Sequence, residues 1–191
     1  QQRDALALAN QINPVGNFEY VSDDKLYHND RDIANTFVLQ KHDVKATLYY
    51  QPVISSKRFE NGLKLYRTRH MQRYFTPDFV IKFENNDSEE YVILDAKFSN
   101  RTNIINKYLP DVMLKYANEI AVNADIKTPV MVWILQGRTD DSYDVYRFHN
   151  SPLAKLYKQS ISFGIIKFST LNKTEQNFWN VLSENVSVLS M

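Results

Sequence analysis

Directly after Pro129 the chain reads Val130-Met-Val-Trp-Ile-Leu135, a run of six apolar residues. In a strand, successive side chains point to opposite faces, so a run that is apolar at every position is apolar on both. Such a strand needs cover above and below, which predicts a place at the centre of a sheet with helices on its faces. The chain's 191 residues, 43% of them hydrophobic and 24% charged, suffice for one core of that kind. No apolar run reaches the ~20 residues of a membrane-spanning helix, so no spanning segment is expected.

The remaining patterns fill in a mixed α/β sheet flanked by helices. Ala46–Ile54 is β-branched and aromatic and reads as a strand. Asn61-Gly62 is a hairpin signal, so Gly62–Thr68 is expected to return along it. Tyr74–Phe83 and Tyr91–Phe98 form two more strands, joined by the polar loop 84–90. A helix is expected over Leu109–Ala124, with Met113, Tyr116, Ala117, Ile120, Ala121 and Ala124 on one apolar face. Tyr143–Phe148, a short helix at Pro152–Gln159, the strand Ser162–Phe168 and the helix Lys173–Ser183 close the chain. Upstream, Asp4–Ile12 and Asp30–Gln40 read as short helices, which divides the chain into a helical or irregular segment 1–45 and a sheet domain 46–191.

Chemistry concentrates in two of these strands. Alternation puts Asp78, Val80 and Lys82 on one face of the first, and Asp95 and Lys97 together on one face of the second. Paired as a hairpin, they bring Asp78 beside Asp95 with Lys97 one step further. Two converging carboxylates repel unless a cation lies between them, and Mg²⁺ is the natural occupant because it accepts few carboxylates and keeps waters. A lysine two residues from one ligand can orient a water and offset charge on a phosphate. The tripeptide alone is weak: Asp-x-Lys occurs four times and Pro-Asp twice. A decoy, Pro110-Asp111 with Asp125-Ile-Lys127, brackets a helix; Pro77-Asp78 with Asp95-Ala-Lys97 has strand context on both sides. The plainer reading is a turn residue, Asp78, and a surface Asp95–Lys97 pair worth ~0–1 kcal/mol.

Pro77-Asp78, a hairpin, then Asp95-Ala96-Lys97 closing an apolar strand resembles the PD-(D/E)XK nuclease signature. "LDAKFSNR" at 94–101, "DVMLKYANEI" at 111–120, "VMVWIL" and the closing "FGIIKFS" resemble the nuclease domain of McrC-type restriction proteins, over about residues 45–185. "YYQPV" at 49–53 with "RYFTPDF" at 73–79 also resembles TnsA-type transposase endonucleases. The resemblance implies a restriction-endonuclease-like fold and Mg²⁺-dependent DNA hydrolysis, with Mn²⁺ as a substitute. It implies Asp78, Asp95 and the Ala96 carbonyl as metal ligands and Lys97 as the catalytic lysine. An AAA+ NTPase subunit and an upstream specificity domain are the partners it implies. The family pattern has a further upstream acid, for which Glu19, Asp30, Asp32 and Glu60 all stay open. It also directs Lys115 and Tyr116 toward the site; the plainer alternative is a Lys115–Glu119 pair on a solvated face, with Tyr116 in the core.

Net charge is only +1, yet Lys57–Arg73 holds six basic residues against Glu60, leaving −4 for the rest of the chain. Lys64, Arg67, Arg69 and Arg73 there lead into Asp78 and are expected to meet DNA phosphates; a solvated edge is the alternative. His28, His42, His70 and His149 lack metal-ligand spacing. With no cysteine there is no disulfide framework, zinc finger or thiol nucleophile, which suits a reducing cytoplasm. Gly-rich phosphate loops and Gly-x-Ser-x-Gly elbows are absent from the sequence. Gln1 in place of Met, with no signal-peptide pattern, suggests a piece of a longer chain. Against the nuclease stands a non-catalytic DNA-binding or assembly module with an incomplete acidic site.

Overall fold

The computed structural model describes residues 19–24, 35–56, 63–68, 74–122, 129–137, 145–148, 161–167 and 174–190. Its strands are β1 (Glu19–Asp24), β2 (Thr36–Lys41), β3 (Val44–Tyr50), β4 (Leu65–Arg67), β5 (Phe79–Glu84), β6 (Glu89–Lys97), β7 (Ile120–Val122), β8 (Met131–Gln136), β9 (Val145–Arg147) and β10 (Ser162–Lys167). Among the described residues, eight of them form a mixed sheet in the order β1-β2-β3-β5-β6-β8-β10-β9. From β1 to β6 neighbours run antiparallel; β6, β8 and β10 run parallel, and β9 returns antiparallel. The α/β class with a large mixed sheet is therefore the observed one. None of the helices among the described residues is long and apolar enough to cross a membrane.

The β8 run occupies the position its composition demands. It lies between β6 and β10, and every residue from Met131 to Gln136 is buried. Met131, Trp133 and Leu135 join Phe178, Val181 and Leu182 of the last helix (Thr174–Asn185) in a core on one face. Val132 and Ile134 join Ile104, Leu109, Val112, Met113 and Tyr116 on the other. Truncating a fully buried residue such as Ile134 to Ala would cost roughly 2–5 kcal/mol.

The second face is covered by a helical run over 101–117 that links β6 to the parallel β8. Asn100 caps its start by accepting from the Asn103 amide at 2.9 Å. The run therefore begins well before Leu109. Pro110, inside it, has no amide hydrogen and crowds the preceding turn; the wider π-turn Ile104–Tyr108 just upstream relieves that crowding. The chain leaves helix before Ile120, which lies in β7.

Three expectations need correction. Leu65–Arg67 does not return along β3: it pairs with β7 in a separate two-stranded sheet, because both edges of β3 are taken by β2 and β5. The second half of the expected helix 30–40 is β2, whose Phe37 and Leu39 alternate into the core as period-2 residues do. No domain boundary falls at 45/46, since β2 and β3 pair along their whole length across it, from Thr36↔Tyr49 to Lys41↔Val44.

Candidate functional site

The β5–β6 register runs from Glu84↔Glu89 at the turn to Phe79↔Leu94. One further step puts Asp78 opposite Asp95, on the face beneath the helical run. Facing side chains on antiparallel strands sit about 5 Å apart at Cβ. Asp78 is anchored on both sides: its carbonyl accepts from the Gln51 amide at 2.9 Å, and its Oδ2 accepts from the Ala96 amide at 2.7 Å. Gln51, directly after β3, has a left-handed backbone (φ 47°), and its side chain also hydrogen-bonds Asp78.

Asp95 is 6% exposed. It belongs to the same face as Tyr91 and Ile93, at the rim of the second core, and every carboxylate oxygen has a partner. Oδ1 accepts from the Tyr116 hydroxyl at 3.2 Å; Oδ2 is paired with the Lys97 ammonium. Lys97 Nζ also donates to the Ala96 carbonyl at 3.2 Å and lies 5.8 Å from the centre of the Tyr108 ring. Lys115 Nζ donates to the Tyr116 oxygen at 3.0 Å and sits over the Phe75 and Tyr116 rings. Asp78, Asp95, Ala96 and Lys97 are thus brought together, and Lys115 and Tyr116 close the site from the helical run.

The electrostatics follow from this crowding. Burial raises the Asp78 pKa above the ordinary carboxylate value, and the charge of Asp95 adds to it against the Ala96 amide and Lys97. Burial lowers the Lys115 pKa even though Asp95 and Asp78 attract its charge. Burial, then the neighbouring Asp95, raises that of Tyr116. Two facing carboxylates next to a main-chain carbonyl are hard oxygen donors of the kind a divalent cation that keeps part of its water shell accepts.

Other candidate residues lie elsewhere. Glu19 is exposed on β1, opposite Gln40, whose further partners Lys45 and Glu84 mark the turn end of β5. It is thus four strands away and at the wrong end. Asp30, Asp32 and Glu60 lie outside the described residues, as do Arg69 and Arg73. Lys64 pairs with Glu89 at 2.8 Å, about 20 Å along β6 from Asp95. There it joins Lys82, Lys45 and Glu84 in a charge cluster at the turn. Arg67, expected to face DNA, is 5% exposed. It is ion-paired with Glu119 and its guanidinium lies 3.9 Å from the Phe75 ring centre. A guanidinium held by a carboxylate and an aromatic face inside the fold is not presented to a phosphate. Glu119 thus serves Arg67, while Lys115 turns to Tyr116.

The sequence reading missed Gln51 and Gln136. Gln51 stands before Pro52 at the end of a strand, where a turn residue meets the neighbouring strand's start. Gln136, buried and in register with Lys97, donates to the Ser99 carbonyl at 2.8 Å and so fixes the chain just beyond the lysine. A glutamine ending a wholly apolar strand is the signal that could have found it. Tyr116 carried a signal too: a hydroxyl on an apolar helix face must find a partner inside. Among the described residues, no group of three or more His, Asp or Glu side chains is arranged to hold a metal. Comparison with protein-family models, with curated proteins and with solved structures found no match to this chain.

Proposed function

We propose that this chain is a Mg²⁺-dependent endodeoxyribonuclease with a restriction-endonuclease-like fold. The observation that carries the reading is the convergence of Asp78, Asp95 and Lys97 at one end of two central strands. It is supported by the order of elements: an antiparallel β3–β5–β6 meander, a helical crossover and a parallel β8. Mg²⁺ needs no more than one or two protein carboxylates when waters and substrate phosphates complete its shell, so Asp78, Asp95 and the Ala96 carbonyl fit it. Bound there, the ion would polarise the phosphoryl oxygen and acidify a water.

The chain's own residues do the rest. Asp78 is held by the Ala96 amide and Gln51, which fixes the orientation of its carboxylate. Tyr116 fixes Asp95. Lys97 shares its charge between Asp95 and the Ala96 carbonyl, a position from which it orients an attacking water and offsets charge on the scissile phosphate. The McrC-type reading, with DNA as substrate and an AAA+ NTPase and an upstream specificity region as partners, is part of this proposal; a TnsA-type endonuclease would use the same atoms.

A non-catalytic DNA-binding or assembly module is the second reading. The absence of a third carboxylate at the pair among the described residues favours it. Plasmid nicking with Mg²⁺ or Mn²⁺ separates the two. Wild-type nicking that Asp95→Asn and Lys97→Ala both abolish supports the enzyme, and DNA binding with no nicking by the wild type supports the module.

A further inference from the structure

The helical run over 101–117 carries Arg101, Lys107 and Lys115 against one acid, Asp111. Two observed chains of contact tie it to the acidic pair. At one end, the Lys97 and Lys107 ammonium groups lie 5.8 and 5.5 Å from the centre of the same ring, Tyr108. At the other, Lys115 Nζ donates to the Tyr116 oxygen at 3.0 Å, and that hydroxyl donates to Asp95 Oδ1 at 3.2 Å. Two hydrogen bonds thus separate Lys115 from Asp95, and the charge of Asp78 attracts it as well. Lys107 and Lys115 stand eight residues apart, roughly 10–12 Å along a helical run.

These two lysines are held differently from the others near the central strands. At the turn end of β5 and β6, Lys45, Lys64 and Lys82 are each tied to a glutamate, and Lys97 is committed to Asp95. Arg67 is held by Glu119, so neither it nor Lys64 is offered to a phosphate. Among the described residues, neither Lys107 nor Lys115 has a carboxylate in ion-pair reach. Rings hold them instead: Tyr108 under Lys107, Phe75 and Tyr116 under Lys115. A ring face attracts an ammonium without neutralising it as a carboxylate does, so the positive charge stays available to an anion. Lys107 is exposed and Lys115 partly so, which lets an anion reach both.

Building on the nuclease reading, we infer that Lys107 and Lys115 are phosphate contacts flanking Lys97, so that the nucleic-acid backbone lies along the helical run 101–117. At ~3.4 Å of axis per phosphate of one strand, the stretch between them matches about three phosphates. Contacts of this kind fix register and orientation and carry no sequence information. Lys107 and Lys115 therefore serve affinity and leave target choice to other groups.

The test uses the full chain in EDTA, a fluorescein-labelled DNA duplex and anisotropy titrations between about 50 and about 200 mM salt. Each lost phosphate contact lowers the slope of log K against log salt by ~0.9, so Lys107→Met and Lys115→Met should each lose ~0.9 and the double variant ~1.8. The affinity deficit of each single variant should accordingly be about 3.5-fold larger at the low-salt end. Lys107→Arg and Lys115→Arg should keep the wild-type slope. Lys41→Met removes the same charge at the far end of β2, where Lys41 lies over Trp179, and should leave the slope unchanged. A purely structural Lys115, holding Tyr116 and through it Asp95, would instead show a lower melting temperature and weaker Mn²⁺ binding in Lys115→Met, with an unchanged slope. Lys107 is exposed, so its variant tests the track whatever Lys115→Met does to the fold. An unchanged slope in either Met variant, an equal fall in Lys41→Met, or a fall in the Arg variants would each overturn the inference. Mg²⁺-dependent nicking that needs Asp95, beside unchanged slopes, would sink the phosphate contacts alone. Slopes that fall as expected in a chain that never nicks would sink the nuclease reading alone.

Discussion

Asp95→Asn isolates charge from shape at the centre of the site. The substitution keeps the side-chain volume, and its amide can offer the oxygen to Lys97 and the nitrogen to the Tyr116 oxygen. What it loses is the charge-assisted bond to Lys97, worth about 1.5–3 kcal/mol when a charged group is involved. Set against that loss is relief from Asp78, one register step beyond the Phe79↔Leu94 pair and so directly opposite. Two unit charges about 5 Å apart at an effective dielectric near 20 repel by about 3 kcal/mol. The two effects nearly cancel, so the melting temperature without metal should move by no more than about 4 °C for a chain of this size. Catalysis should not be spared in that way. Removing a carboxylate that holds the ion should cost more than the ~10–100-fold seen for outer partners of metal ligands. The assay is plasmid nicking in Mg²⁺ beside calorimetric unfolding in EDTA. Nicking that survives the substitution would take Asp95 out of the mechanism; a much larger fall in melting temperature would make it a structural acid of the second core instead.

Asp78 makes a separate claim. Its pKa is raised in the folded state, so between 3.8 and that raised value the folded chain holds a proton the unfolded chain has lost, and stability falls as pH rises through this window. Without metal, Asp78→Asn should therefore melt higher than wild type at pH 7, with the difference vanishing near pH 4 in calorimetry. Arg67→Ala should destabilise by about 3–5 kcal/mol by leaving Glu119 partly buried without its partner, read by urea denaturation. A stable Arg67→Ala that merely binds DNA less well would restore the surface role. Neutralising Arg69 and Arg73 should reduce the slope of log K against log salt by about 0.9 per lost phosphate contact. An unchanged slope in anisotropy titrations would make that stretch a solvated edge.

What the sequence discloses about this molecule follows the range of the interactions involved. The two acids are legible because alternation in adjacent strands is local: Asp78, Val80 and Lys82 share a face, and one polar loop decides their pairing with Asp95. β8 is legible because a run apolar on both faces has few places to go. The partner of β4 is not legible. Leu65–Arg67 pairs with Ile120–Val122, more than fifty residues on, and Asn61-Gly62 points to a nearer strand whose edges are already filled. Arg67 misleads for the same reason. Its basic neighbours suggest a surface, while the groups that bury it, Phe75 and Glu119, reach it only through tertiary pairing. Ala96 and Phe98, which alternation places on the face of Val92 and Leu94, are exposed nonetheless, because that face's cover stops at Leu94.

That end of cover coincides with the proposed site. Inside the sheet, β6 is roofed on both faces: Val92 and Leu94 by one core, Tyr91 and Ile93 by the other. One residue later Asp95 is still buried, with the Tyr116 hydroxyl on one oxygen and the Lys97 ammonium on the other. Lys97 pairs with it, while burial of Asp78 itself, with the Asp95 charge adding to it, raises the Asp78 pKa. A carboxylate further in would be protonated or forced into a permanent pair; one further out would be screened by solvent and bind a divalent ion weakly.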